Sequence, residues 1–140
     1  MVDWDLLAAK LAQLADRVVR VRAICPSSAL ELNADRNALD IVSFNLMLAV
    51  QSCADVAGHI IADEGWPPAA NLAGAFNCIR DHGVITAETA AALCRAVALR
   101  NVVAHGYAAI DTTMVHVAAT RGIVDLDAFA REVAGWLAQR

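Results

Sequence analysis

Apolar residues in the first part of the chain recur at steps of three and four: Leu7, Leu11, Leu14, Val18 and Val21, flanked by Ala8 and Ala15. That spacing predicts an amphipathic helix from about Trp4 to Ile24. Pro26 in the "CPSS" that follows disfavours helical geometry at Cys25 and ends it. A longer run, Leu39, Val42, Leu46, Ala49, Cys53, Val56 and Ile60, keeps the same rhythm. It predicts a second helix from about Ala34, capped by Asn33, to Glu64, where "GWPP" stops it. Rotated by about 110° from this seam lies another stripe, Asn45, Ser52, Asp55 and His59 interleaved with Ile41 and Leu48. It is polar where a helix buried on its own should be apolar.

Beyond "GWPP" the elements shorten. A helix is predicted from Asn71 to about Asp81, closing at Gly83. Thr86 then caps a helix through "AETAAALCRAVALRNVVAH", rich in strong helix formers and ended by Gly106. Two more are predicted, from about Thr112 to Ala119 and from Asp125 to Leu137. Alternating strand-like runs are absent, as are repeats and linkers, so the expected architecture is all-α. It is a five- to six-helix up-and-down bundle with short connections, in a single domain spanning residues 1–140.

Composition adds a partner to this picture. Apolar residues make up 59% of the chain and charged residues 19%, leaving less polar surface than a monomer of this size needs. A buried interface with another copy or a partner is expected. A net charge of −4 argues against a broad basic surface, so contact with nucleic acid must be local or made by an assembly. No apolar stretch reaches the roughly 18 uncharged residues of a membrane helix, and "MVDWDLL" carries acids where a signal peptide carries positive charge. A cytoplasmic protein with no membrane contact is expected. Cys25, Cys53, Cys78 and Cys94 are scattered singly, with no histidine at zinc-finger spacing. They read as small core residues, and neither a metal nor another cofactor is expected.

The chemistry concentrates in "RNVVAHGY", residues 100–107, which holds Arg100, Asn101, His105 and the only tyrosine, Tyr107. On an ideal helix Arg100 and His105 stand about 140° apart, whereas Asn101 and His105, four positions apart, are neighbours. A second copy of the helix facing the first would bring both histidines and both arginines to one cleft. Such a cleft has the parts for metal-free RNA cleavage: imidazoles to move the protons and guanidinium groups to spread charge over a phosphate. Asn101 could hold the His105 ring or a phosphate oxygen, and Tyr107 could donate to phosphate or stack on a base. As isolated residues, the same groups equally suit the carbonyls at a helix end, and spacing alone does not establish catalysis.

The octapeptide resembles the motif of the HepT-like group of HEPN-domain proteins, an Arg followed by a polar residue, a His five positions on and an x-Tyr, met here by Arg100, Asn101, His105 and Tyr107. "FNLMLAVQSCADVAGHIIADEGWPP" is similar to the family's long second helix, with Gln51, Asp55 and His59 at family-like positions. "AGAFNCIRDHGVI" and "IVDLDAFAREV" resemble the following short helix and the closing helix, so the likeness covers nearly the whole chain. Leu99 departs from it, since the family often has an aromatic residue there. The resemblance implies a homodimeric, metal-independent endoribonuclease, the toxin of a toxin–antitoxin pair of type II/VII-like organisation. Arg100 and His105 of two subunits would form the cleft, with Asn101 assisting. It also implies a partner, a minimal nucleotidyltransferase antitoxin of the MntA type that transfers AMP from ATP to Tyr107. The competing expectation is a non-catalytic dimeric HEPN module that binds such a nucleotidyltransferase. Asp55 with His59 reads as a pair satisfying each other or a neighbouring helix, Arg36 with Asp40 as a solvated pair, and His82 and His116 as surface or helix-end residues. Trp4, Trp66 and Trp136 are expected to pack helices.

Overall fold

The computed structural model describes residues 3–106 and 110–140. Its helices are α1 (Trp4–Ile24), α2 (Ala29–Ala34), α3 (Arg36–Glu64), α4 (Leu72–Asp81), α5 (Ala87–His105), α6 (Thr112–Val117) and α7 (Ile123–Ala138). A π turn over Ala118–Gly122 joins α6 to α7 without leaving helical backbone, so the last two form one bent helix. Counted that way, the described residues make six helices and no strand, the all-α bundle expected.

The long apolar seam is the core. Leu39, Val42, Leu46, Ala49, Cys53, Val56 and Ile60 of α3 are all buried, and α1 packs along them with Leu7, Leu14, Val18 and Val21. Ala8 and Ala15 are exposed, so the stripe on α1 is narrower than its composition suggests. Phe76 of α4 meets Phe129 of α7 edge to face, 6.0 Å between ring centroids, closing the core on the other side of α3. By length and composition α3 could cross a membrane, but 61% of its most apolar window is buried against the other helices, the pattern of a core helix.

Two boundaries differ from the sequence reading. The chain forms a separate short helix, α2, capped by Ser28 and anchored by fully buried Leu32, and α3 begins after it with Asp35 as its cap. Asn33 caps nothing; its side chain accepts a hydrogen bond from Thr112 Oγ1 at 2.9 Å and ties α2 to α6. The break expected between Ala119 and Asp125 is not there either: the π turn carries helical backbone through Gly122, with Thr120 Oγ1 donating to the His116 carbonyl at 2.8 Å.

The placement of α5 matters most for the site. Its N-terminus is tied to α7: the Thr86 backbone N–H donates to Glu132 Oε1 at 2.7 Å, and Thr89 Oγ1 donates to Glu132 Oε2 at 2.6 Å. At the other end Gly106 adopts a left-handed conformation, φ +59°, which a residue with a Cβ takes only with strain, and stops the helix at His105.

Cys53 is buried, whereas Cys25, Cys78 and Cys94 are half-buried at the margin of the core. Burial pushes the thiols of Cys53, Cys25 and Cys78 up from the ordinary range, Cys53 furthest, and the Asp81 carboxylate adds to the effect at Cys78. Trp66 and Trp136 pack helices as expected, Trp66 stacking on His82 at 3.8 Å, but Trp4 is 50% exposed.

Candidate functional site

Arg100 occupies the last turn and a half of α5, where the ladder of helical bonds runs out, and its side chain turns toward α3 rather than toward solvent. Its Nη2 donates to Gln51 Oε1 at 2.9 Å, and its Nη1 donates to Asn101 Oδ1 at 3.0 Å. Gln51 is held in turn, its Nε2 donating to Asp55 Oδ1 at 3.0 Å, one turn further along α3. Asp55 Oδ2 lies 3.5 Å from Lys10 Nζ on α1. A polar chain therefore runs Asn101–Arg100–Gln51–Asp55–Lys10 across three helices. It leaves Arg100 Nε buried without a partner, a donor still to be satisfied.

The other half of the polar stripe on α3 serves the fold. Asn45 is buried and paired, accepting from Arg17 Nη1 at 3.1 Å and donating to the Ile41 carbonyl at 2.8 Å. Asp55 and His59 do not pair with each other; Asp55 instead meets Lys10 on neighbouring α1, the other arrangement expected. His59 Nε2 sits 3.0 Å from Asp63 Oδ2, off the line of a hydrogen bond, while Asp55 is taken by Gln51 and Lys10. Either carboxylate is four residues from His59; Asp63, fixed by the Asp3 backbone N–H at 3.2 Å, wins because Asp55 has stronger claims on it. Arg36 and Asp40 do form the solvated pair expected, 3.4 Å apart. His82 hydrogen-bonds the Cys78 carbonyl, and His116 the Pro26 carbonyl, so both act at helix ends.

A groove of about 760 Å3 opens beside Arg100, between α3, α4 and α5. Ala54, Gly58 and Ala62 of α3 form its floor, Trp66 and Leu72 one wall, and Val97, Arg100 and Asn101 the other. A second, smaller and mostly apolar pocket of about 410 Å3 lies on the opposite flank of α5, against the π turn.

His105, the last residue of α5, is exposed. It stands five positions along the helix from Arg100, about 140° of rotation and about 7.5 Å of rise. Within one chain Arg100 faces inward to α3 while His105 shares the outward face of α5 with Asn101, Ala98 and Ala91, all exposed. The structure thus brings Arg100 and Asn101 together and sets His105 on a different face. Tyr107 lies outside the described residues. Gln51 is the contact that spacing could not supply: its partner is 49 positions away in sequence. The only sign of it is a family-like position next to a polar stripe. Among the described residues, no three His, Cys, Asp or Glu side chains gather where they could hold a metal ion.

Comparison with known proteins follows the same lines. Among curated proteins none matches the chain in sequence. Among solved structures, a toxin–antitoxin crystallised with AMP-PNP superimposes with a TM-score of 0.87 at 20% identity, covering 94% of this chain and 98% of that one. The tri-AMPylated HEPN toxin of Shewanella oneidensis, in complex with its MNT antitoxin, gives 0.86 at 21% identity over the same shares. The cytosolic protein YutE of Bacillus subtilis, of unknown function, gives 0.86 at 12% identity over 99% of this chain and 92% of that one. At these identities the likeness is one of fold. In sequence, residues 14–133 match the model of the family described as ribonuclease HepT-like, and the chain belongs to that family.

Proposed function

We propose that this protein is the toxin of a toxin–antitoxin pair, a metal-independent endoribonuclease acting as a homodimer in the cytoplasm. The observation that carries the reading is the guanidinium of Arg100, locked by Gln51 and lining an open groove. A phosphodiester oxygen is the acceptor it suits.

In the proposed reaction one imidazole takes the proton of a ribose 2′-hydroxyl, the 2′-oxygen attacks phosphorus, and the bond to the 5′-oxygen breaks. A second imidazole returns a proton to the leaving 5′-oxygen. Arg100 stabilises the charge gathering on the non-bridging oxygens, and Asn101 orients His105 or the phosphate. A single chain offers one His105, facing away from Arg100, so the cleft requires a second protomer whose His105 is brought to the groove beside Arg100.

The same reading assigns control to a cognate nucleotidyltransferase of the MntA type. The tyrosyl oxygen of Tyr107 would attack the α-phosphorus of ATP, releasing pyrophosphate and leaving AMP esterified two residues from His105. The added anion would occupy the place of substrate phosphate. AMPylation of the Shewanella HEPN toxin within its antitoxin complex supports this reading.

A second reading, a non-catalytic dimeric module that serves as partner and AMP acceptor, is favoured by large exposed apolar residues such as Leu30, Val19, Val124 and Phe44. Cleavage assays decide between them. Purified protein is expected to cleave RNA in the presence of EDTA, and His105→Ala to abolish the cleavage; equal activity in the variant refutes the nuclease. Intact-mass measurement after co-expression with the nucleotidyltransferase tests the modification: AMP-sized increments that vanish in Tyr107→Phe support it, and their absence from wild type removes it.

A further inference from the structure

We infer that the groove between α3, α4 and α5 is a nucleoside subsite, seating the base and ribose attached to the phosphate that Arg100 holds. The inference rests on the RNA-cleaving reading and names what lies next to the scissile bond.

Three observations point to it. The groove and the candidate site share two residues, Arg100 and Asn101, so anything bound to the guanidinium through phosphate extends into this space. Its volume, about 760 Å3, is within the range that holds small organic ligands and cofactors. Its lining then matches a nucleoside: aromatic Trp66 and aliphatic Leu72 and Val97 for the base, with amides at the ends. The ring of Trp66 is held in place by its stack on His82, 3.8 Å between centroids and 12° from parallel, so the wall is preorganised. Asn71 spends its Oδ1 on capping α4, accepting from Gly74 N–H at 2.8 Å, which leaves the Nδ2 amide to meet a base edge.

Gly58 supplies an independent argument. It sits inside α3, more than one turn before its last residue, Glu64, where glycine weakens a helix relative to alanine. A Cβ placed on it would meet nothing within 4 Å, so no neighbour in the folded chain requires its small size. Its neighbours one turn away on the same face, Ala54 and Ala62, are also small and also form the floor. The fold gains nothing from keeping this floor low, whereas a ligand lying on it does. The Arg100 cation at one end selects an anionic occupant, and the apolar walls select one with a flat ring.

The test is binding to the whole protein by isothermal titration, with AMP, adenosine and inorganic phosphate as separate probes. Wild type is expected to bind AMP more tightly than phosphate. Gly58→Leu, which fills the floor, is expected to weaken AMP and adenosine by about tenfold or more while leaving phosphate within about twofold. Gly58→Ala guards against a folding artefact: it should raise Tm by roughly 2–4 °C and weaken AMP less than the leucine does. Equal AMP affinity in wild type and Gly58→Leu overturns the subsite, as does no AMP binding by wild type at millimolar concentration. So does an equal loss of phosphate and AMP, which would mean the substitution acts through Arg100. Because binding is read without turnover, a protein that binds AMP in this groove but cleaves no RNA upholds the subsite and refutes the nuclease.

Discussion

Replacing Gln51 by leucine removes the acceptor that holds Arg100 Nη2 at 2.9 Å and puts a side chain of similar size in its place. A hydrogen bond to a charged group contributes about 1.5–3 kcal/mol when shielded from water, and Arg100 is only partly buried, so about 1–2 kcal/mol is the reasonable share. Arg100 Nε is already buried without a partner, which leaves the guanidinium tethered only through Asn101, its own neighbour on an exposed stretch of helix. Lost positioning of that size corresponds to a fall of about 5- to 30-fold in kcat/KM for RNA cleavage. Stability should change little, because no core contact is removed. The double-mutant cycle of Gln51→Leu with Arg100→Ala isolates the pair: the leucine change should have almost no further effect once Arg100 is gone. Asp55→Asn, one bond more remote, should give a smaller loss in the same direction. A Gln51→Leu protein with wild-type kcat/KM, or losses that simply add in the cycle, would refute the claim that Gln51 positions Arg100.

Other substitutions test the frame around the site. Gly106→Ala forces a left-handed backbone, φ +59°, on a residue with a Cβ; it should cost about 1 kcal/mol, seen as a lower midpoint in urea, and reduce cleavage by disturbing the turn after His105. Phe129→Ala removes a fully buried ring that meets Phe76 edge to face and should cost about 3–5 kcal/mol in the same measurement. Burial raises the Cys53 thiol, so above the ordinary thiol range the unfolded chain gives up a proton that the folded chain keeps. Stability from this group is full at neutral pH and falls as pH rises, by up to about 1.4 kcal/mol per pH unit. The stability gap between wild type and Cys53→Ala should therefore shrink between about pH 8 and pH 10; a gap independent of pH contradicts it.

Local signals carried the helices, and long-range contacts carried the site. The limits of α1 and α5 follow from residues next to them, Asp3 and Pro26 for the first, Thr86 and Gly106 for the second, so periodicity and capping chemistry are enough. The start of α3 is ambiguous in sequence because "ELNAD" offers two capping residues, Asn33 and Asp35, two positions apart. The choice of Asp35 over Asn33 is made by the tertiary need to bury Leu32 and bond Thr112. The π turn is hidden for the same reason: a glycine beside helix-compatible residues looks like an end until the flanking helices are seen to share one core. At the site, Arg100 and Asn101 are legible from their crowding, but the lock on Arg100 comes from Gln51 on another helix and the brace on Asp55 from Lys10 on a third. No periodicity within one helix encodes such a chain. Asp55 and His59 show the converse, a spacing that permits a pair which stronger neighbours prevent.

The central claim is that Arg100 and His105 act together only across two protomers, because the helix that carries both turns them about 140° apart. Mixing Arg100→Ala protein with His105→Ala protein, after unfolding and refolding them together, tests it most directly. Each variant alone is expected to be inactive, while the mixture, containing dimers with one intact arginine and one intact histidine from different chains, should recover RNA cleavage in part, at a rate below wild type because water must replace the second imidazole as proton donor to the leaving oxygen. Cleavage by the mixture no greater than the sum of the two separate proteins, in a preparation shown to contain the mixed dimer, would contradict the shared cleft.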